Sequence, residues 1–163
     1  MYVKGKDSIL YIKWKDYWVP ISCETSNGMS ESAEMINTTT RDNKGWTTSR
    51  PNMQSYNISF AGQTVLEAGN NILNYYELVK LKRNRLLIEW QRRTSGRMIE
   101  SGMAYIKDIS NTYETDDIAN FEMTLEGFAI PRLIDNQDPN GVIADYDDAA
   151  LVNELNNAIY TNP

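Results

Sequence analysis

Carboxylates are the side chains best placed to do acid–base chemistry in this sequence, because its 163 residues include no histidine. That removes the commonest general base and metal ligand, along with every Ser–His or Cys–His nucleophile pair. Asp116-Asp117 and Asp147-Asp148 are adjacent in sequence, and adjacent residues of a strand point to opposite faces. Glu122 and Glu126 share a strand face but stand roughly 13 Å apart along it. Glycosidase carboxylates cooperate at about 5–9.5 Å. Asp42-Asn43 could ligate calcium, yet no EF-hand spacing follows. No catalytic constellation emerges. We expect a protein that is not an enzyme and holds neither cofactor nor metal.

Binding chemistry has two further candidates. Seven basic residues lie between Lys80 and Arg97 with Trp90 among them, which resembles a phosphate groove with a stacking platform. Four of the seven straddle a helix end, however, and Trp90 is in phase with Leu86 and Ile88, as a core residue would be. An acidic chain also opposes phosphate binding. Trp14, Trp18 and Trp46 could form a carbohydrate-binding face, but four Trp in 163 residues do not define one.

These residues need elements to position them. "SILYIKW" (8–14) and "YWVPIS" (17–22) flank Lys15-Asp16 and read as a hairpin, with Pro20 marking an edge or a bend. "SNGMSESAEMINTTT" (26–40) reads as another extended segment. In "SYNISFAG" (55–62), Tyr56, Ile58 and Phe60 alternate with Asn57 and Ser59, the pattern of a half-buried strand. "GNNILNYYELVKLKR" (69–83) changes period. It opens on an Asn N-cap, carries Ile72, Tyr76 and Val79 as its stripe with Leu73 and Tyr75 broadening it, and closes on Lys80, Lys82 and Arg83. A second hairpin spans 85–93 and 97–110 about Ser95-Gly96. The last strand, 117–130, sets Ala119, Phe121, Met123 and Leu125 against Asn120, Glu122, Thr124 and Glu126. Six or so strands with one helix argue a mainly β fold, a β-sandwich or barrel with one packed α-helix. Between the strands at 26–40 and 55–62 lies a polar loop, 37–54, longer than the roughly 12–15 residues usual for a loop without a function.

Composition bounds the rest. A single Cys23 excludes an internal disulfide, and no apolar run approaches a membrane span. The N-terminus lacks the pattern of a signal peptide. Residues 1–107 carry 15 basic and 10 acidic groups, whereas residues 108–163 carry 12 acids and only Arg132. We expect a domain over 1–131, then a C-terminal acidic arm over 132–163. In that arm Leu151, Leu155, Ala158 and Ile159 form the stripe of a short amphipathic helix. The arm either packs on its own domain or meets a partner.

The order of segments resembles the major tail tube proteins of long-tailed bacteriophages. The resemblance rests on Ser30-Glu31-Ser32, Glu34, Ile36, the Thr38-Thr39-Thr40-Arg41-Asp42 run, Gly45-Trp46, Pro51 and Ser55-Tyr56, then on "RLLIEW", "ESGMAYIKDIS" and "FEMTLEGFAIP". It covers roughly residues 5–131. It implies a structural virion protein, synthesised in the host cytoplasm, whose homo-hexamer rings stack into a tube. DNA passes through without specific binding, and no membrane is involved. The implied partners are tape measure, tail terminator and distal tail proteins. The long loop would then reach a neighbouring subunit or ring through Thr39, Thr40, Arg41, Asp42, Asn43, Lys44, Gly45 and Trp46, with Trp46 as the apolar anchor. Glu34, Glu122 and Glu126 would face the lumen, where like charge discourages DNA from sticking. The alternatives are a monomeric β-sandwich adhesion or carbohydrate-binding module, and a nucleic-acid-binding barrel.

Overall fold

Alternating apolar and polar residues build a single antiparallel sheet, seen in a computed structural model that describes residues 2–21, 23–65, 72–135 and 142–144. β1 (Ser8–Trp14) pairs with β2 (Tyr17–Pro20), Tyr11 opposite Pro20 and Trp14 opposite Tyr17. Lys15 and Asp16 turn the chain at φ 48° and 68°, the left-handed pair that a two-residue type I′ turn demands. β2 is the outermost strand on its side of the sheet, a position that tolerates a residue with no N–H.

β3 (Glu24–Asn37) and β4 (Ser49–Gln63) form a long hairpin. The helix α1 (Tyr75–Arg83) follows. β5 (Ile88–Thr94), β6 (Met98–Thr112) and β7 (Asn120–Asp135) then run as a meander, and β8 (Val142–Ala144) pairs with the end of β7. The strand order is β2-β1-β5-β6-β7-β4-β3, with β8 on the edge of β7 that β4 vacates. This is the mainly β architecture with one packed helix that the sequence led us to expect. Among the described residues the strands number eight rather than about six: the seven segments read as strands all form, β7 continues past residue 131, and β8 is added after it.

The sheet curls around its own apolar face instead of stacking two separate sheets. Leu10, Ile12, Ile58, Trp90, Phe121 and Leu125 are buried there together with Leu78 and Leu81 of α1. Removing each such side chain from water is worth about 1.5–3 kcal/mol. Where the curl brings β3 up to β1, side chains make the junction. The Glu24 carboxylate accepts the Leu10 N–H at 3.2 Å and an Asn27 amide proton, while the Asn27 amide also donates to the Ser8 carbonyl at 3.0 Å. Across the core, the Tyr56 hydroxyl donates to the Met103 carbonyl and accepts from Trp90 Nε1 at 3.2 Å. Burial pushes the Tyr56 phenol above its usual pKa, so it keeps the proton it donates.

Three details differ from the expectations. The helix starts at Tyr75, capped by Asn74, whose side chain accepts the Glu77 N–H at 3.0 Å. Leu73 precedes it, buried and bridged to Ile21. The buried stripe is accordingly Leu78 and Leu81, while Ile72 and Tyr76 are exposed. Leu86 is exposed as well, since Arg85 at φ 52° redirects the chain and β5 begins only at Ile88. Replacing Asn74 with Ala should cost about 1 kcal/mol in a denaturant melt, the usual worth of an N-cap. The helix expected within residues 147–160 lies outside the described residues.

Candidate assembly surfaces

The loop expected over 37–54 is shorter than the sequence implies. Residues 49–54 belong to β4 and pair with β3, Asn37 opposite Ser49 and Met35 opposite Pro51. Only Thr38–Thr48 connects the strands. Its neck is tied by the Thr38 N–H to the Thr48 carbonyl at 2.9 Å and the Thr48 N–H to Thr39 Oγ1 at 3.0 Å. The Asn37 side chain accepts the Thr39 N–H at 2.8 Å, a local turn that starts the loop. Thr40 precedes a short 3-10 turn over Arg41–Asn43. Lys44 and Gly45 then reverse the chain at φ 48° and 83°, and Gly takes the second of these at no steric cost. Trp46 follows, 79% exposed.

β4 pairs with β7 only from Asn57 to Gln63. Beyond Tyr56, the hairpin therefore leaves the sheet as a two-stranded arm about 25 Å long. Its side chains are exposed on both faces, including Met35 and Met53. A two-stranded ribbon is marginal in water by itself, and apolar groups on both of its faces call for a partner.

A second surface lies on the sheet face opposite the core. Residues directly opposed across strands share a face. Ser30 opposes Asn57, Asn57 opposes Glu126, and Ser59 opposes Thr124. Thr124 also opposes Asp108, and Glu122 opposes Ser110. Ala61 opposes Glu122 and Tyr105 opposes Glu126 as well, so this face of β3, β4, β7 and β6 is built mainly from Ser, Asn, Thr and acids, with Glu122, Glu126 and the Tyr105 ring exposed on it. Glu34 is in phase with Ser30 and Ser32 along β3, exposed, and its carboxylate accepts from Asn52 Nδ2 at 3.4 Å. Among the described residues, Glu34, Asp108, Glu122 and Glu126 make no ion pair. α1 packs on the other side, its Tyr75 ring 5.5 Å from that of Phe121.

The fork where β4 parts from β7 carries features the sequence reading missed. Ala129 takes φ 61°, and β7 bulges between Phe128 and Arg132 while β6 advances from Met103 to Ser101. Pro131 within an apolar strand was the available signal, since Pro in a sheet marks a bulge or an edge. Phe128 and Tyr105 meet edge to face at 6.1 Å between ring centroids, both exposed. At the far end of the sheet, Tyr113 and Ile118 are exposed on the loop between β6 and β7. Tyr113 lies beside Tyr76 and raises the pKa of the Tyr76 phenol.

No described helix is long and apolar enough to cross a membrane, and no three metal-ligating side chains cluster among the described residues. A curled antiparallel sheet with one polar face and an exposed two-stranded ribbon defines a class by its fold, the mainly β subunit with a single packed helix among the described residues. The model of the phage tail tube protein family matches residues 2–131. The chain belongs to that family and is a structural subunit of a virion tail. The fold is similar to a chain in the tail of an empty gene transfer agent particle solved with C6 symmetry. The two are 17% identical with a TM-score of 0.69, over 80% of this chain and 97% of that one. It is also similar to the SPP1 tail tube, at 10% identity and a TM-score of 0.67, over 84% of this chain and 81% of that one. A third similar structure is the tube-terminating cap of an anti-feeding prophage, at 13% identity and a TM-score of 0.60, over 83% of this chain and 92% of that one. No curated protein sequence matches the chain.

Proposed function

We propose that six copies of this chain close a ring, that rings stack into the tail tube, and that the polar sheet face lines a lumen through which DNA moves. The carrying observation is that face: four strands wide, acidic, and uncovered by the only described helix. A soluble subunit could cover both sides of its sheet, whereas a conduit needs one side wet and weakly repulsive to phosphate. The outer strands β2 and β3 supply edges that side-by-side copies can share, a closed contact that removes the hazard of an open edge. In this reading Glu34, Glu122 and Glu126 face the lumen. The loop from Thr39 to Trp46 is an assembly arm, with Arg41, Asp42 and Lys44 as its charged rim. The role is structural, without catalysis, and the ends of the tube meet tape measure, tail terminator and distal tail proteins. The C6 symmetry of the gene transfer agent tail and the terminating role of the prophage cap support this outline by analogy of fold.

Negative-stain microscopy of the purified chain tests the reading. Rings or hollow rods are expected, and a monomer at every concentration, even with preformed tube ends added, would overturn it in favour of an adhesion or carbohydrate-binding module. A finer test reverses the lumen charge. Glu122→Lys with Glu126→Lys should still give tubes, because both side chains are exposed and unpaired. Phage carrying them should eject DNA several-fold more slowly, since each Lys adds a phosphate contact. Higher salt should relieve the delay.

A further inference from the structure

The arm has a direction. β4 runs from the arm at Ser49 to Gln63, which opposes Asn120, and the next residue, Thr64, donates its N–H to the Ala119 carbonyl at 2.7 Å. The arm tip and the Tyr113–Ala119 loop therefore lie at opposite ends of one strand about 50 Å long. Copies stacked in the same orientation bring the tip of one to the loop end of the next, a contact between unlike ends that repeats along an axis.

The two ends match in chemistry. Residues 38–50 carry Arg41, Lys44 and Arg50 against Asp42, a balance of +2, whereas residues 113–119 carry Glu114, Asp116 and Asp117 with no base, a balance of −3. Each end also exposes apolar side chains it does not cover. Trp46 is 79% exposed at the tip, and Tyr113 and Ile118 are 61% and 57% exposed at the loop, next to the half-exposed Tyr76. An apolar centre with a charged rim is the composition of a specific interface, and Trp and Tyr are common among its dominant contacts.

Resting on the stacked-tube reading, we infer that Trp46 seats against Tyr76, Tyr113 and Ile118 of a second copy of this chain in the adjacent ring, with Arg41 and Lys44 opposite Glu114 and Asp116. The aromatic contact holds the joint. The rim charges fix which end meets which, and they exclude tip-to-tip pairing by like-charge repulsion.

Charge reversal of full-length chain tests this. Glu114→Lys with Asp116→Lys should raise the concentration needed for rods roughly tenfold or more, with rings and the circular-dichroism spectrum unchanged. Arg41→Glu with Lys44→Glu should do the same. Combining all four substitutions in one chain recreates an opposite-charge pair and should return that concentration to within about threefold of the original. Damage to folding would not be repaired by changes at the other end of the molecule. Rods that form as readily from either double variant, or a fourfold variant no better than its parents, would overturn this inference while the original chain's own rods upheld the tube reading. Failure of the original chain to form rods, even from preformed tube ends, would overturn both.

Discussion

Trp46→Ala yields a protein that folds and melts like the original but no longer elongates into rods. Among the described residues no hydrogen bond or ring contact holds this side chain, which is 79% exposed at the tip of the arm. Its removal should therefore change the melting temperature by no more than surface substitutions do, about 0.5 kcal/mol in stability. In the proposed tube its contribution arises at the joint between copies. A buried interfacial Trp commonly contributes about 2–4 kcal/mol, or roughly 30- to 1,000-fold in affinity for each contact, and six arms per joint multiply the effect. Sedimentation of the assembled fraction, alongside a thermal melt, checks both halves. Normal rods from the variant would remove Trp46 from the joint, and a lowered melting point would show that it serves the fold.

Gly127→Ala should have the opposite signature, a large loss of stability within the single subunit. A Cβ at this position would fall on the Tyr56 ring, which is held on its far side by Met103 and Trp90. The ring cannot move without surrendering the hydroxyl's bonds, and Gly102 closes the space beside it: a Cβ there would lie 2.9 Å from the Tyr56 oxygen. Overpacking of this kind costs about 1–3 kcal/mol, and unsatisfied partners add about 1–3 more. A melting temperature lower by about 10 °C or more is the expected reading. Adding Tyr56→Leu should recover part of the loss, because the smaller side chain vacates the ring's place. If Gly127→Ala melts like the original, the close packing at the fork carries no weight.

These two sites differ in how well the sequence disclosed them. β4 from Tyr56 onward and β7 over Phe121–Leu125 bury one face, so their alternation was plain in the residue order and the structure follows it. The first hairpin was equally legible, because two apolar runs separated by two residues leave few other ways to turn. The arm was not. A ribbon buried on neither face carries no alternation, and "SRPNMQ" read as loop although the β3 ladder pairs it. The helix start was misplaced because three Asn precede it, at 70, 71 and 74, and any of them can cap. Tertiary contact decides among them: Leu73 is held against Ile21 and cannot join the helix. The Glu24–Asn27 junction left no trace in sequence, since it depends on how far the sheet curls.

The two-stranded arm bears on when polymer forms. A ribbon with no third strand gains its full order only where a neighbour holds it. The first two copies to meet must fix an arm for very little contact in return, while an arriving copy at an established end finds several docking places at once. For the proposed tube, nucleation would then be slow and growth fast, so a cell would accumulate unpolymerised subunits until a template appeared, and length would be governed by the template rather than by supply.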